Sequence, residues 1–256
     1  RTTRENRKTF SNNHEYILVY AKNYEAFKLT RNDLSLTQEV KDRYQNPDKD
    51  PRGKWQSVSA NAQGGHGTQT QFYDLVAPNG KIHVLPSGRG WVYTKERMNE
   101  LIGDNRIWFG AEGNGVPRIK KFLSEIKQGL TPETLWLASK AGTNDLAKKE
   151  QKVLKKKDLF DTPKPESLIS QILDIATDEG DLVLDCFGGS GTTFSVCLKK
   201  KRRFIGIEIG SHMETHILPR LIGVISGVDT IGISTELGWS GGGDFSYYHL
   251  GESIIN

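Results

Sequence analysis

The stretch DLVLDCFGGSGTTFSVCLKKKRRFIGIEIG (residues 181–210) decides how the rest of the chain is read. Leu182, Val183 and Leu184 form a short apolar run that predicts a buried strand, and residues 204–207 predict a second. Between them residues 192–200 have room for about two and a half turns of helix, with Phe194, Cys197 and Leu198 facing inward. Two strands joined by so short a helical link predict a right-handed βαβ unit in a parallel sheet. In such sheets the ligand lies beyond the carboxyl ends of the strands, which puts residues 185–191 at the site. Gly188, Gly189 and Gly191 let backbone approach a ligand closely there.

What that corner holds follows from what it lacks. A dinucleotide fingerprint needs G-x-G-x-x-G, but Gly189-Ser190-Gly191 is followed by Phe194 where the last glycine belongs. A phosphate loop needs Gly-Lys-Ser/Thr, and Gly191-Thr192-Thr193 has no lysine. What remains is an acid before the glycines, Asp185, and another closing the second strand, Glu208. An acid at the end of a second strand suits the hydroxyls of a ribose. An acid before the turn suits a cationic group better than a pyrophosphate. An adenosine bearing a positive charge fits, and S-adenosylmethionine is such a molecule; a tight turn with no ligand is the plain alternative.

Working outward, the 256 residues are 36% hydrophobic and 26% charged, ordinary for a globular protein. Two cysteines, Cys186 and Cys197, are too few for a disulfide scaffold, and a cytoplasmic setting fits. No run of about 18 apolar residues is present to cross a membrane. The net charge of +4 hides an asymmetry: residues 1–157 carry 28 Lys+Arg against 17 Asp+Glu, whereas residues 158–256 carry 7 against 14. The first part is the one suited to a polyanion.

HEYILVYAKN (residues 14–23) reads as a buried strand. Residues 73–109 read as β-rich, with Pro78-Asn79-Gly80 turning a hairpin. VPRIKKFLSEIKQG (residues 116–129) has near-helical spacing of apolar residues and predicts a helix. NDLAKKEQKVLKKKD predicts a basic, exposed helix. In DTPKPESLISQILDIATDEGD, Thr162 is the expected cap, Pro163 the first helical residue, and the helix ends near Gly180. SHMETHILPRLIGVISG predicts a helix interrupted at Pro219, and the run after Gly243 a short aromatic strand. His212 and His216 have the i, i+4 spacing of a zinc grip, but a zincin needs Glu where Met213 stands, so no metal is expected.

DLVLDCFGGSGTT resembles the cofactor motif of amino-group DNA methyltransferases, and FDTPKPESLISQIL resembles the motif that precedes it in the permuted β class. RRFIGIEIG resembles the next motif. HEYILVYAKN, NPDKDPRGKW, RIWFG, VPRIKKFLSEIKQG and GGGDFSYYHLGE resemble the modification subunits of type III restriction systems. Cys186 and Gly189 are small departures from the family pattern. The resemblance implies a Rossmann-like S-adenosylmethionine-dependent methyltransferase fold, α/β in class, with an incomplete sheet and an inserted, β-rich target-recognition region. It places one sheet strand in residues 1–23, the recognition region in 24–157 and the cofactor part in 158–256. Carried over by position, Asp185, Phe187, Gly188, Gly191 and Thr192 line the cofactor pocket. Thr162 and Lys164 meet the methionine carboxylate, and Glu208 holds the ribose. Arg52, Lys54, Arg89 and Arg118 are the candidates for contact with double-stranded DNA, and residues 61–71 for a flexible loop that faces it. A restriction subunit and a second methyltransferase subunit are the implied protein partners.

Adenine-N6 transfer in that family uses an Asp/Asn-Pro-Pro-Tyr/Phe loop, and no such tetrapeptide occurs in this sequence. In the β class the loop precedes the recognition region, so the expectation is a fragment with no catalytic residue of its own and no methyl transfer alone. The alternative is a non-catalytic relative that binds DNA or a partner.

Overall fold

The computed structural model describes Thr9 and residues 14–154 and 159–251. It resolves into two compact units, one of Arg1–Leu34 with Thr131–Asn256 and the other of Ser35–Leu130. The division falls at 34/35 and 130/131, where the sequence pointed to 23/24 and 157/158. In the first unit, helix α1 (Tyr24–Thr30) starts at Asn23, whose side chain accepts from the Ala26 N–H.

The second unit contains helix α2 (Gln38–Asp42), strands β1 (Trp55–Ser59), β2 (Asn61–Gln63), β3 (Leu75–Val76), β4 (Ile82–His83) and β5 (Arg89–Trp91), helix α3 (Lys95–Gly103), and strands β6 (Ile107–Trp108) and β7 (Arg118–Phe122). All pairings are antiparallel: β1-β7-β6, β2-β5 and β3-β4. The β3–β4 hairpin closes as expected, with Ala77 N–H donating to the Lys81 carbonyl and Gly80 at φ 86°. Met98 and Leu101 of α3 enter a core of Leu75, Trp91, Ile107, Phe109 and Ile119.

The helix expected over 116–129 is instead the central strand β7. Ile119 faces the core, while Lys120 and Phe122 point to the other face and are also buried. Lys120 is buried because Asp48 and Asp50 pair with its ammonium and the Trp55 and Trp108 rings lie 5.2 and 5.9 Å from it. A lysine in an acid-and-indole cage hides a strand's pattern from hydropathy.

The first unit continues with helices α4 (Ala138–Ala141), α5 (Asn144–Leu154) and α6 (Glu166–Ala176), strand β8 (Leu182–Asp185), helix α7 (Thr192–Lys199), strand β9 (Arg203–Gly206), a π-helical turn (Met213–Ile217), and helices α8 (Leu218–Ile225) and α9 (Ser234–Leu237). Strands β8 and β9 pair in parallel from Leu182↔Arg203 to Asp185↔Gly206, with α7 between them in sequence. One face of this ladder packs Val183 and Phe204 against Leu173, Val196 and Cys197. On the other, Leu182, Leu184, Ile205 and Ile207 are each more than half exposed.

Three expectations change here. Residues 16–20 form no strand and lie exposed, and among the described residues the run is paired with neither strand of this unit's two-stranded ladder. Helix α6 begins at Glu166 rather than Pro163, with Pro165 as its cap residue and Thr162 exposed in the preceding bend. Residues 244–250 form no strand; Phe245 packs on the Phe194, Ile217 and Leu221 cluster, and the Tyr247 hydroxyl donates to Glu214. The break at Pro219 is the junction of the π-helical turn with α8.

Candidate functional site

The corner after β8 is shaped by the ring beneath it. A Cβ on Gly188 would lie 2.8 Å from Phe194 and 2.9 Å from Ile217, so only glycine lets the backbone pass over that ring. Phe194 itself is stacked on Phe204, with centroids 5.2 Å apart. Gly191 caps α7 with φ 74°, a left-handed conformation that a side chain would strain. Above this base Phe187 is 89% exposed, and Asp185 accepts from the Phe187 N–H at 3.0 Å.

Glu208 reaches back over the glycines. Its Oε2 accepts from the Gly189 N–H at 2.6 Å and its Oε1 from the Gly210 N–H at 3.3 Å. The Gly189 bond, against a smaller opposing effect of burial, holds this carboxyl below its ordinary range, so it stays an anion. A carboxylate has about four acceptor positions, and the backbone N–H groups of Gly189, Gly210 and Ile209 leave it capacity for a further donor. Phe160 lies against Gly189 and meets His212 edge-on at 5.1 Å and His216 at 5.9 Å.

The other expected segment lies alongside. The Lys164 carbonyl accepts from the Thr192 hydroxyl at 3.0 Å, tying it to the start of α7. Its ammonium is half-exposed and pairs with Glu15 at 3.0 Å, one of its three donors. Asp185, Phe187, Gly188, Gly191, Lys164 and Glu208 thus all belong to the unit that carries β8 and β9. Thr192 needs correction. It is buried, its oxygen accepts from Arg220 Nη1 at 3.0 Å and sits 2.9 Å from Ser190 Oγ, and its hydrogen goes to Lys164. With one donor and two acceptor places filled, the hydroxyl holds the turn from inside rather than facing a ligand.

Below the corner is a set of buried charges that none of the sequence motifs singles out. Glu166 accepts from Lys199 at 2.7 and 2.8 Å, from Arg220 at 2.9 Å, from the Ser195 hydroxyl at 2.5 Å and from the Ile233 N–H at 3.2 Å. Lys199 also reaches Asp229 at 2.9 Å. Burial opposes ionisation of Glu166, but Arg220 and Lys199 outweigh it and hold the carboxyl below its usual range. Glu150 is the odd acid. Burial, then the Glu166 charge beside it, pushes its carboxyl up to about 7.

Of the DNA candidates in the second unit, Arg52 is engaged within the unit. It donates to Asp50, Asp104 and two backbone carbonyls and lies 4.6 Å over the Phe122 ring. That guanidinium fastens α2–β1 to the α3–β6 turn, which is a correction to its expected place on DNA. Among the described residues Arg89 and Arg118 bond neutral groups, Asn61 and Ser57, and form no ion pair, and Lys54 is exposed. Residues 61–71 contain β2 and two 3-10 turns, the second closed by a Thr68–Gln71 capping box.

A parallel strand–helix–strand, with one carboxylate on the last residue of β8 and another two residues past β9, makes this unit α/β in class. The chain belongs to the DNA methylase family, whose profile matches residues 1–218. It is 34% identical over 180 residues to the StyLTI Mod subunit of a type III restriction-modification enzyme of Salmonella typhimurium, covering 70% of this chain and 26% of that one. It is 48% identical over 87 residues to the probable HindVI Mod subunit of Haemophilus influenzae, covering 34% of this chain and 12% of that one. Among solved structures it is similar to the M1.HpyAVI–SAM complex at 29% identity and a TM-score of 0.26, over 41% of this chain and 47% of that one. The chain spans about a quarter of the first relative's length and about an eighth of the second's.

Among the described residues no helix is long and apolar enough to cross a membrane.

Proposed function

We infer that this chain is the recognition and cofactor portion of an adenine-N6 DNA methyltransferase of the type III restriction-modification kind, working in the cytoplasm. The observation that carries the reading is the corner itself, where an anionic Glu208 with acceptor places to spare stands over a glycine turn preceded by Asp185. S-adenosylmethionine is the cofactor whose ribose and sulfonium match those two acids. Its ribose goes to Glu208, its adenosyl face to Phe187 and its carboxylate to Lys164, with Thr162 beside it. When bound, it supplies an electrophilic methyl group. The family membership and the two Mod-subunit similarities support the same reading.

The Ser35–Leu130 unit is the target-recognition region, inserted in the permuted methyltransferase fold. Lys54, Arg89 and Arg118 supply its phosphate contacts, and the polar loop of residues 61–71 faces the DNA. The bare apolar face of β8–β9 is where further elements of a longer polypeptide cover the sheet, as the doubly covered sheets of α/β proteins require. The Asp/Asn-Pro-Pro-Tyr/Phe loop belongs to that further part, and a restriction subunit and a second methyltransferase subunit are the partners.

Calorimetry with S-adenosylmethionine tests the cofactor reading. The chain binds it, and Glu208→Ala weakens binding by about tenfold or more, as loss of a charged hydrogen-bond acceptor does. Equal binding by the variant, or none by the wild type, refutes it. DNA affinity is expected in the Ser35–Leu130 unit and to fall steeply with salt, and a salt-independent signal refutes that assignment.

A further inference from the structure

Arg220 has no place in the sequence motifs, yet it joins the two segments of the cofactor corner. It leaves α8 with 4% of its surface exposed, and its guanidinium divides between two ends. At one end Nη2 donates to Glu166 Oε1 at 2.9 Å, two residues after Lys164. At the other Nη1 donates to Thr192 Oγ1 at 3.0 Å and to the Ser190 carbonyl at 3.4 Å, inside the glycine turn. An arginine can only donate. Its bond therefore obliges the Thr192 oxygen to accept, and the Thr192 hydrogen is directed to the Lys164 carbonyl. One buried cation thus fixes the spacing of residues 164 and 188–192.

The surrounding charges show why the cation is tolerated. Glu166 and Asp229 balance Lys199 and Arg220 without any help from Glu150. A buried ion pair is weak evidence for stability, since well-packed apolar groups of the same size often serve as well. What apolar groups cannot supply is direction, and here the direction is toward the Ser190 carbonyl and the Thr192 hydroxyl that set the turn. We propose that Arg220 is a positioning residue: acting through Thr192 and Glu166, it holds the Lys164 and Gly188–Gly191 segments at the separation that S-adenosylmethionine spans. The proposal rests on the cofactor reading given above.

The test is calorimetry of S-adenosylmethionine binding to the 256-residue chain, with urea midpoints measured in parallel. Arg220→Lys keeps the charge but reaches only one end of the bridge, and Thr192→Val removes the hydroxyl with little change of shape. Each is expected to weaken cofactor binding by about tenfold or more, while Thr192→Ser, which keeps the hydroxyl, stays within about threefold of wild type. The Arg220→Lys, Thr192→Val double variant binds no worse than the weaker single one, because both break the same bridge. A structural role alone would lower the urea midpoints and leave affinity intact well below the transition. Wild-type affinity in both single variants, or losses that multiply independently, overturns the proposal. If Arg220→Lys does not fold, the valine and serine variants at Thr192 decide it. A wild-type chain that binds no cofactor overturns the cofactor reading itself, and this proposal with it.

Discussion

Glu150 lies on α5 with 3% of its surface exposed. One carboxyl oxygen accepts from the Glu166 N–H at 3.1 Å, and the other is buried without a hydrogen-bond partner among the described residues. The charges facing it are Glu166, Arg220 and Lys199, and the last is shared with Asp229. Burial, seconded by the Glu166 charge, raises its carboxyl from 4.5 to about 7. A raised carboxyl stabilises the fold fully below 4.5, where both states are protonated. That stability is lost as the pH climbs toward 7, because the unfolded chain has already released the proton. The gap is worth about 3 kcal/mol by pH 8, at about 1.4 kcal/mol for each tenfold change in proton affinity. Glu150→Gln keeps an oxygen for the Glu166 N–H and cannot ionise. Its stability relative to wild type should therefore rise by about 3 kcal/mol between pH 4 and pH 8. Urea denaturation at several pH values reads this as a midpoint gain of roughly 1 M or more at pH 8 over pH 4. Any fixed cost of the amide cancels in the comparison across pH. A difference between the two proteins that stays constant from pH 4 to pH 8 refutes the reasoning.

The two cysteines should react differently with an alkylating reagent. Cys186 is exposed in the corner and should label first, whereas Cys197 is buried with its thiol pushed up to about 12 by burial and should label only on unfolding; S-adenosylmethionine should slow Cys186, and labelling at equal rates counts against the geometry. Gly188→Ala sets a methyl against Phe194 and Ile217 and should destabilise by about 1–3 kcal/mol, read as a lower urea midpoint; an unchanged midpoint counts against the close approach. Lys120→Met leaves Asp48 and Asp50 without their ammonium and should cost about 3–5 kcal/mol in the Ser35–Leu130 unit, followed by tryptophan fluorescence. Asp50 is held well below the carboxylate range, first by Arg52 and also by Lys120. Its contribution is present above the ordinary value of 3.8 and lost as the pH falls further, so acid midpoints should rise in the Lys120 variant.

What the sequence made legible was local and apolar. The strands and helix of residues 182–207 carry their own inward positions, Val183, Phe194, Cys197 and Phe204, so period and length sufficed. The Ala77–Lys81 turn and the stripe of α6 were readable for the same reason. The failures share a cause. Tyr16 to Tyr20 looks like a buried strand because apolar runs normally are buried, but burial needs a partner, and hydropathy does not say whether one is at hand. Residues 118–122 looked helical because Lys120 counted as polar, although its acid-and-indole cage makes it core. Glu166, Lys199 and Arg220 were passed over on the same scale, which scores each charge alone and so places all of them outside. Their burial depends on pairing across 33 and 54 positions of chain, between α6, α7 and α8. The same pairing makes Thr192 look like a ligand contact in sequence. Its hydroxyl is adjacent to the glycines, and only the arrival of Arg220 from α8 shows that its capacity is already used. A motif therefore gives the surface of this corner, and the charges that hold it in shape come from helices the motif does not mention.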